Sequence, residues 1–163
     1  MTDSQIRAAI LKTIKKEGGY VNDPVDAGGE TKYGISKRSF PDEDILNLTV
    51  WRAFEIYKFW YALPLKLPEI NNPRIGWKIF DVGVNTGLSR SVKLTQGVVG
   101  ADVDGILGQQ TLKAINETDE AVFFMHFIPA LESYYMDIVE RNPLQQKFMR
   151  NWLKRAADTG VGL

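Results

Sequence analysis

The sequence predicts a mainly α-helical single domain in which a glycine-rich loop or short hairpin follows the first helix. Three observations carry that reading. Apolar residues recur at 3–4 residue spacing along most of the chain, the helical runs stop at glycine or proline, and alternating strand patterns are scarce. The length, 163 residues, suits one domain, residues 1–163. With 44% hydrophobic and 25% charged residues, the composition is that of a domain able to bury its own core.

The elements follow in order. Residues 4–16 read as the first helix, with Asp3 or Ser4 as cap and Ile6, Ile10 and Ile14 on one side. Gly18-Gly19 stops it, since glycine accepts the left-handed backbone of a helix C-cap. Residues 20–36, rich in Gly, Asp and Asn, form a poor core and a good cleft edge. Thr49 caps a helix to about Leu63, ended by Pro64. Pro73 opens another that stops at Gly87. Residues 89–97 form a short helix broken by Gly97 and Gly100, and 109–116 form a further one. A long helix from about Asp119 to Arg141 contains Pro129, which should kink or divide it. Residues 145–157 form the last helix, and Gly160-Val161-Gly162 reads as a frayed end.

Several function classes are disfavoured. Twenty basic and twenty acidic residues balance to zero net charge, which argues against a nucleic-acid partner. There is no cysteine and a single histidine, so no convincing zinc site exists, and neither a metal nor a cofactor is implied. The histidine, His126, sits in an apolar helical run and reads as packing. The N-terminal residues lack the pattern of a secretory signal. No stretch approaches the ~18 apolar residues of a membrane span, so stable membrane insertion is not expected.

The chemistry concentrates between residues 17 and 35. Glu17 closes the first helix, and the run Asp26-Ala27-Gly28-Gly29-Glu30-Thr31-Lys32-Tyr33-Gly34-Ile35 follows. Glycosidic cleavage needs one carboxylic acid to protonate the leaving oxygen, and a polar face to place water or steady positive charge on the sugar. The helix C-terminus beside Glu17 disfavours a carboxylate, while Lys15 and Lys16 would favour one if they faced it. Neighbouring helical residues point about 100° apart, so Lys16 is expected to face away. Asp26 otherwise reads as a turn former, and Asp23-Pro24 as a plain turn.

This segment resembles the E-G-G-x-x-x-x-x-x-D-x-G-G-x-T-x-x-G-I signature of the muramidases of glycoside hydrolase family 108, which includes phage endolysins and toxin-secretion muramidases. The run Phe80-Asp81-Val82-Gly83-Val84-Asn85-Thr86-Gly87 is similar to the family's F-D-x-x-V-N-x-G segment. Asp104-Gly105-Ile106-Leu107-Gly108-Gln109-Gln110-Thr111 resembles the D-G-x-x-G-x-x-T turn of predicted peptidoglycan-binding modules, although the glycines also explain it as a tight structural turn. Residues Phe148 to Arg155 resemble the closing F-x-x-G-W-x-x-R, with Asn151 in place of the glycine. The resemblance implies a lysozyme-like helical fold, with residues 1–88 as the catalytic half and 89–163 as a C-terminal helical half. It places the catalytic glutamate on Glu17 and implies help from Asp26 and Thr31 at the anomeric carbon, as in the similar Glu, Asp, Thr trio of phage lysozymes.

Trp77, Asp81 and Asn85 lie at i, i+4 and i+8, hence on one helix face. An aromatic ring with polar neighbours suits a sugar subsite, and Tyr33 is a second stacking candidate. The competing reading makes Trp77 core and pairs Asp81 with a base. The aromatic run from Trp51 to Tyr61 reads mainly as a core face.

The expected function is hydrolysis of the β-1,4 bond between N-acetylmuramic acid and N-acetylglucosamine, with peptidoglycan glycan strands as partner and a monomer as the working form. The enzyme would be made in the bacterial cytoplasm without a recognisable signal peptide and act on the cell wall. Alternatives are a lytic transglycosylase, in which the sugar's own hydroxyl attacks, a non-catalytic peptidoglycan-binding or secretion accessory module, and a helical interaction protein.

Overall fold

In a computed structural model that describes residues 1–22 and 29–162, one of seven α-helices is central and the other six pack about it, with a single two-stranded hairpin at the edge. The mainly α expectation holds. Helix α1 (Asp3–Glu17) starts one residue earlier than its apolar spacing indicates, because Thr2 is the cap. The Gln5 N–H donates to the Thr2 hydroxyl at 3.3 Å and the Thr2 N–H donates to the Gln5 side chain at 2.9 Å, a reciprocal capping box. Ile6, Ala9, Ile10, Thr13 and Ile14 face the core. Gly18 ends α1 at φ +83° and ψ −172°, an extended exit rather than the left-handed cap expected from sequence.

Strands β1 (Thr31–Lys32) and β2 (Ile35–Ser36) pair antiparallel, Thr31 opposite Ser36 and Lys32 opposite Ile35. Tyr33 (φ +54°) and Gly34 (φ +76°) turn the chain. A two-residue hairpin loop of the I′ kind needs positive φ at both positions, so Tyr33 carries strain that asparagine or glycine would avoid.

Helix α2 (Val50–Tyr57) begins at Thr49, whose hydroxyl accepts from the Arg52 N–H at 3.1 Å. It does not continue unchanged to Leu63. Residues Lys58–Ala62 widen into a π-helical turn, closed by the Leu63 N–H donating to the Lys58 carbonyl at 3.0 Å. A 3₁₀ turn, Leu67–Glu69, then leads to α3 (Pro73–Thr86), capped by Asn72. Every residue of α3 from Ile75 to Asp81, with Val82 and Gly83, is buried. A helix surrounded on all sides is the core of a bundle, and α3 packs against α1, α4 and α6.

Helix α4 (Leu88–Val99) runs through Gly97 and stops only at Gly100, which takes the left-handed conformation at φ +71°. The turn before α5 (Gln109–Glu117) is built on Gln96. Its amide donates to the Asp104 carboxylate at 2.7 Å, the Ile106 carbonyl and the Thr111 hydroxyl, and its oxygen accepts from the Gly105 N–H at 2.9 Å. The Ile106 backbone N–H and Gln96 together hold the Asp104 carboxyl below the usual aspartate range.

Helix α6 (Glu120–Arg141) is continuous, so Pro129 does not divide it. The N–H that proline lacks would have served the Met125 carbonyl one turn earlier, and Met125 is 61% exposed, so water can satisfy that oxygen. His126 is exposed rather than packed as expected, because it falls on the outer side of α6 while Phe123, Phe127 and Leu131 take the inner side. A 3₁₀ turn, Pro143–Phe148, precedes α7 (Met149–Ala157), which packs against α6.

Lys78 ties α7 to the central helix. Its side chain is fully buried and its ammonium donates to the carbonyls of Arg155 (2.6 Å), Ala156 (2.9 Å) and Asp158 (3.0 Å). Burial pushes its pKa down to about 8 from 10.5, with Asp81 opposing. The cost of the buried charge is therefore fully present below about pH 8 and is relieved as pH rises toward 10.5. Wild-type protein is expected to gain stability relative to Lys78→Met across that window, which thermal melts at several pH values would read. A constant difference between the two proteins would contradict it.

Candidate active site

Glu17 is the last residue of α1, where the Gly18 exit turns the backbone away and leaves the carboxyl at the rim of a cleft of about 790 Å³. Asn85, in the last turn of α3, lies on the same cleft, and Asn151, Trp152 and Arg155 of α7 form its far wall. Arg155 donates to Glu17 Oε1, and the two side chains are only 12% and 20% exposed. The Arg155 Nε also lies 3.4 Å from Asp81 Oδ2. Burial works against the Arg155 charge, and Asp81 and Glu17 more than offset it, so the guanidinium holds its proton more firmly than an ordinary arginine.

Behind this pair lies a buried polar relay. The Trp77 indole N–H donates to the Thr13 hydroxyl at 3.2 Å, and that hydroxyl donates to Asp81 Oδ1 at 3.2 Å. Lys16 contacts Asp81 Oδ2 at 3.4 Å and Asp158 at 2.9 Å, which keeps its ammonium turned from Glu17 as the helical phase predicts. The Lys12 and Lys16 ammonium groups sit 4.6 and 4.4 Å from the Trp77 ring centre. Among the described residues no buried side-chain nitrogen or oxygen lacks a hydrogen-bond partner.

The expected sugar face of α3 is thus corrected. Trp77 and Asp81 are fully buried and present nothing to a sugar; they hold Thr13, Lys16 and Arg155 in place. Only Asn85, one turn further along the same face, is exposed, where its side-chain oxygen accepts from the Tyr135 hydroxyl at 2.8 Å. Tyr33 is half-buried, packs on the core, and gives its carbonyl to the Tyr57 hydroxyl at 2.8 Å. Thr31 is half-buried in β1 and its hydroxyl donates to the Gly29 carbonyl at 3.4 Å. Asp26, with Asp23 and Gly28, lies outside the described residues.

Gly34 is where the hairpin meets the carboxyl. A Cβ there would stand 2.5 Å from the Tyr57 hydroxyl and 2.9 Å from Glu17 Cγ, at a positive φ. Gly34→Ala is expected to cost about 1–3 kcal/mol for the backbone alone. It should also push Glu17 off Arg155, so that activity falls more than stability does. Parallel melting and turnover measurements would show this, and unaltered turnover would contradict it.

Arg155 and Trp152 are the site residues the sequence reading did not single out. Both belong to the closing segment Phe148 to Arg155, which had been noted only as a family feature. The Trp152 ring stacks on Tyr135 with centroids 5.1 Å apart. Among the described residues no cluster of His, Asp or Glu is arranged to hold a metal ion, and no helix is long and apolar enough to cross a membrane.

Residues 10–87 match the family described as Glycosyl hydrolase 108, and residues 90–157 match the one described as Predicted Peptidoglycan domain. No curated protein matches the sequence. The chain is similar to the solved structure of Brucella abortus SagA, with a TM-score of 0.73 and 22% identity, over 98% of this chain and 100% of that one. At that identity the likeness speaks for a shared fold.

Proposed function

We propose, for a chain that belongs to the glycosyl hydrolase 108 family and is a muramidase-type glycoside hydrolase acting on peptidoglycan, that Glu17 is its general acid. The observation that carries the proposal is the placement of Glu17: a carboxyl at the end of α1, held by Arg155 at the rim of a cleft. Protonated Glu17 gives its proton to the bridging oxygen as the bond to C1 of N-acetylmuramic acid breaks. Water adds its oxygen to C1 and loses a proton, leaving a reducing N-acetylmuramic acid end and a free 4-hydroxyl on N-acetylglucosamine.

Thr31 and Asp26 are proposed to hold the water or balance the charge that grows on the sugar. Asn85 at the cleft and Tyr33, next to Gly34 beside Glu17, are proposed sugar contacts, while Asp81 and Trp77 support Lys16 and Arg155 from behind. In this reading residues 1–88 supply the acid and residues 89–163 supply Arg155 and Trp152, so both halves build one site.

Digestion of purified sacculi with identification of the soluble fragments by mass spectrometry tests the reading. Muropeptides with reducing N-acetylmuramic acid ends are the expected products. Anhydro-sugar ends would replace water by the sugar's own 6-hydroxyl and make the enzyme a lytic transglycosylase. Binding to sacculi with no fragments released would remove the catalytic role of Glu17.

A further inference from the structure

A second groove of about 680 Å³ opens between the segment after the hairpin, the π-helical turn and the start of α4. Its floor and walls come from Phe40, Trp60, Tyr61 and Leu88, and its edges from Ser39, Asp42, Glu43 and Arg52. Trp60 is 56% exposed, and its ring meets the Phe40 edge with centroids 6.2 Å apart. Single exposed apolar side chains are ordinary, but aromatic rings gathered along one groove mark a binding surface. The π-helical turn Lys58–Ala62 is what displays them: α2 buries Phe54 and Tyr57, and the widened turn then brings Phe59 and Trp60 to the surface. Such turns inside helices are frequent at functional sites.

The groove lies close to the proposed active site at two places. Gly87 and Leu88 line it, only two and three residues beyond Asn85 of the Glu17 cleft. Tyr61 lines it as well and packs on Tyr57 at 5.3 Å between ring centres, and the Tyr57 hydroxyl abuts Gly34 beside Glu17. Burial, and then the Glu17 charge, raise the pKa of Tyr61, which agrees with that closeness. Its volume lies in the range of about 300–1,000 Å³ that small ligands occupy. Flat apolar rings with hydroxyl and carboxylate edges suit a pyranose, which has an apolar face and a rim of hydroxyls. The Arg52 fork is held by Glu43 at 2.6 Å and Glu55 at 3.2 Å, so among the described residues that line the groove no cation is left unpaired for an anionic ligand.

We infer that the Phe40–Trp60 groove is a glycan subsite, holding sugars of the same peptidoglycan strand that runs past Glu17. This rests on the muramidase reading. It makes the enzyme one that grips an extended strand on both sides of the bond it cuts, so short fragments are poor ligands.

The test measures binding of N-acetylglucosamine–N-acetylmuramic acid di-, tetra- and hexasaccharides to the Glu17→Gln protein by calorimetry. Affinity should rise with length, and Trp60→Ala should weaken the hexasaccharide by about tenfold, as loss of a central aromatic anchor does. It should leave the disaccharide nearly unaffected. Trp60→Phe should keep most of the affinity, and Phe40→Ala should repeat the loss. Hexasaccharide affinities within twofold of one another across these variants would overturn the subsite. Sedimentation with phosphatidylglycerol vesicles that Trp60→Ala abolishes, with oligosaccharide affinity unaltered, would overturn it in favour of a lipid surface. The sacculus digest separates the two readings: no fragments from wild type removes the muramidase, whereas normal digestion with unaltered Trp60→Ala binding removes only the groove.

Discussion

Glu17→Gln is expected to slow peptidoglycan cleavage by about 10²–10⁴-fold, the usual contribution of a positioned general acid. Glutamine has the same shape and its carbonyl oxygen still accepts from Arg155. What it lacks is a proton to give. The ion pair is lost, yet with the Glu17 side chain 20% exposed water can share the Arg155 charge, so the melting temperature should move by only a few degrees. Turbidity clearance of sacculi, alongside circular dichroism melts, separates a chemical loss from a structural one. Retention of more than a tenth of wild-type rate would exclude Glu17 as the acid.

Asp81→Ala should act in the opposite way, on stability first. Asp81 is fully buried and faces Lys16, Arg155 and the Thr13 hydroxyl. Its removal leaves Arg155 with Glu17 and Lys16 with Asp158 as their remaining partners, strips the Thr13 hydroxyl of its acceptor, and leaves the buried cluster a negative charge short, which costs about 3–5 kcal/mol. For a domain of this length each kcal/mol shifts the melting temperature by about 2–4 °C, so a fall of roughly 6–20 °C is expected. Arg155 would also lose the group that aims it at Glu17, and cleavage should weaken in the protein that remains folded. Asp158→Asn is the control, because Asp158 touches Lys16 from a side chain 30% exposed and should cost at most about 1 kcal/mol. Equal effects of the two substitutions would refute the buried network.

The contrast between Asp81 and Asn85 shows what a sequence conveys about a site. Spacing at i, i+4 and i+8 correctly put Trp77, Asp81 and Asn85 on one face of α3. It carried no depth: α3 dives through the core, and its stripe surfaces only in the last turn. The first helix, its glycine stop and the hairpin were legible because each depends on neighbours in sequence. Pro129 misled for a related reason, since its cost depends on whether water reaches the Met125 carbonyl, a tertiary fact. The π-turn after α2 left no mark in the apolar spacing, so Trp60 was grouped with the core-facing residues Phe54 and Tyr57. Arg155 could have been found only by asking which base in the closing segment would answer a carboxyl at the far end of the chain.

That separation, 138 residues between Glu17 and Arg155, sets a schedule for the nascent enzyme. At about 5–20 residues per second, translation takes roughly 7–28 s to deliver the arginine after the glutamate. The Lys78 anchor for α7 waits on the same late segment. Half a chain emerging from the ribosome already contains Glu17 but neither Asn85 nor the α7 wall of its cleft. The cleft around Glu17 is thereby left unassembled until the α7 segment has been made, and a product that stops before Arg155 lacks the contact that holds the Glu17 carboxyl.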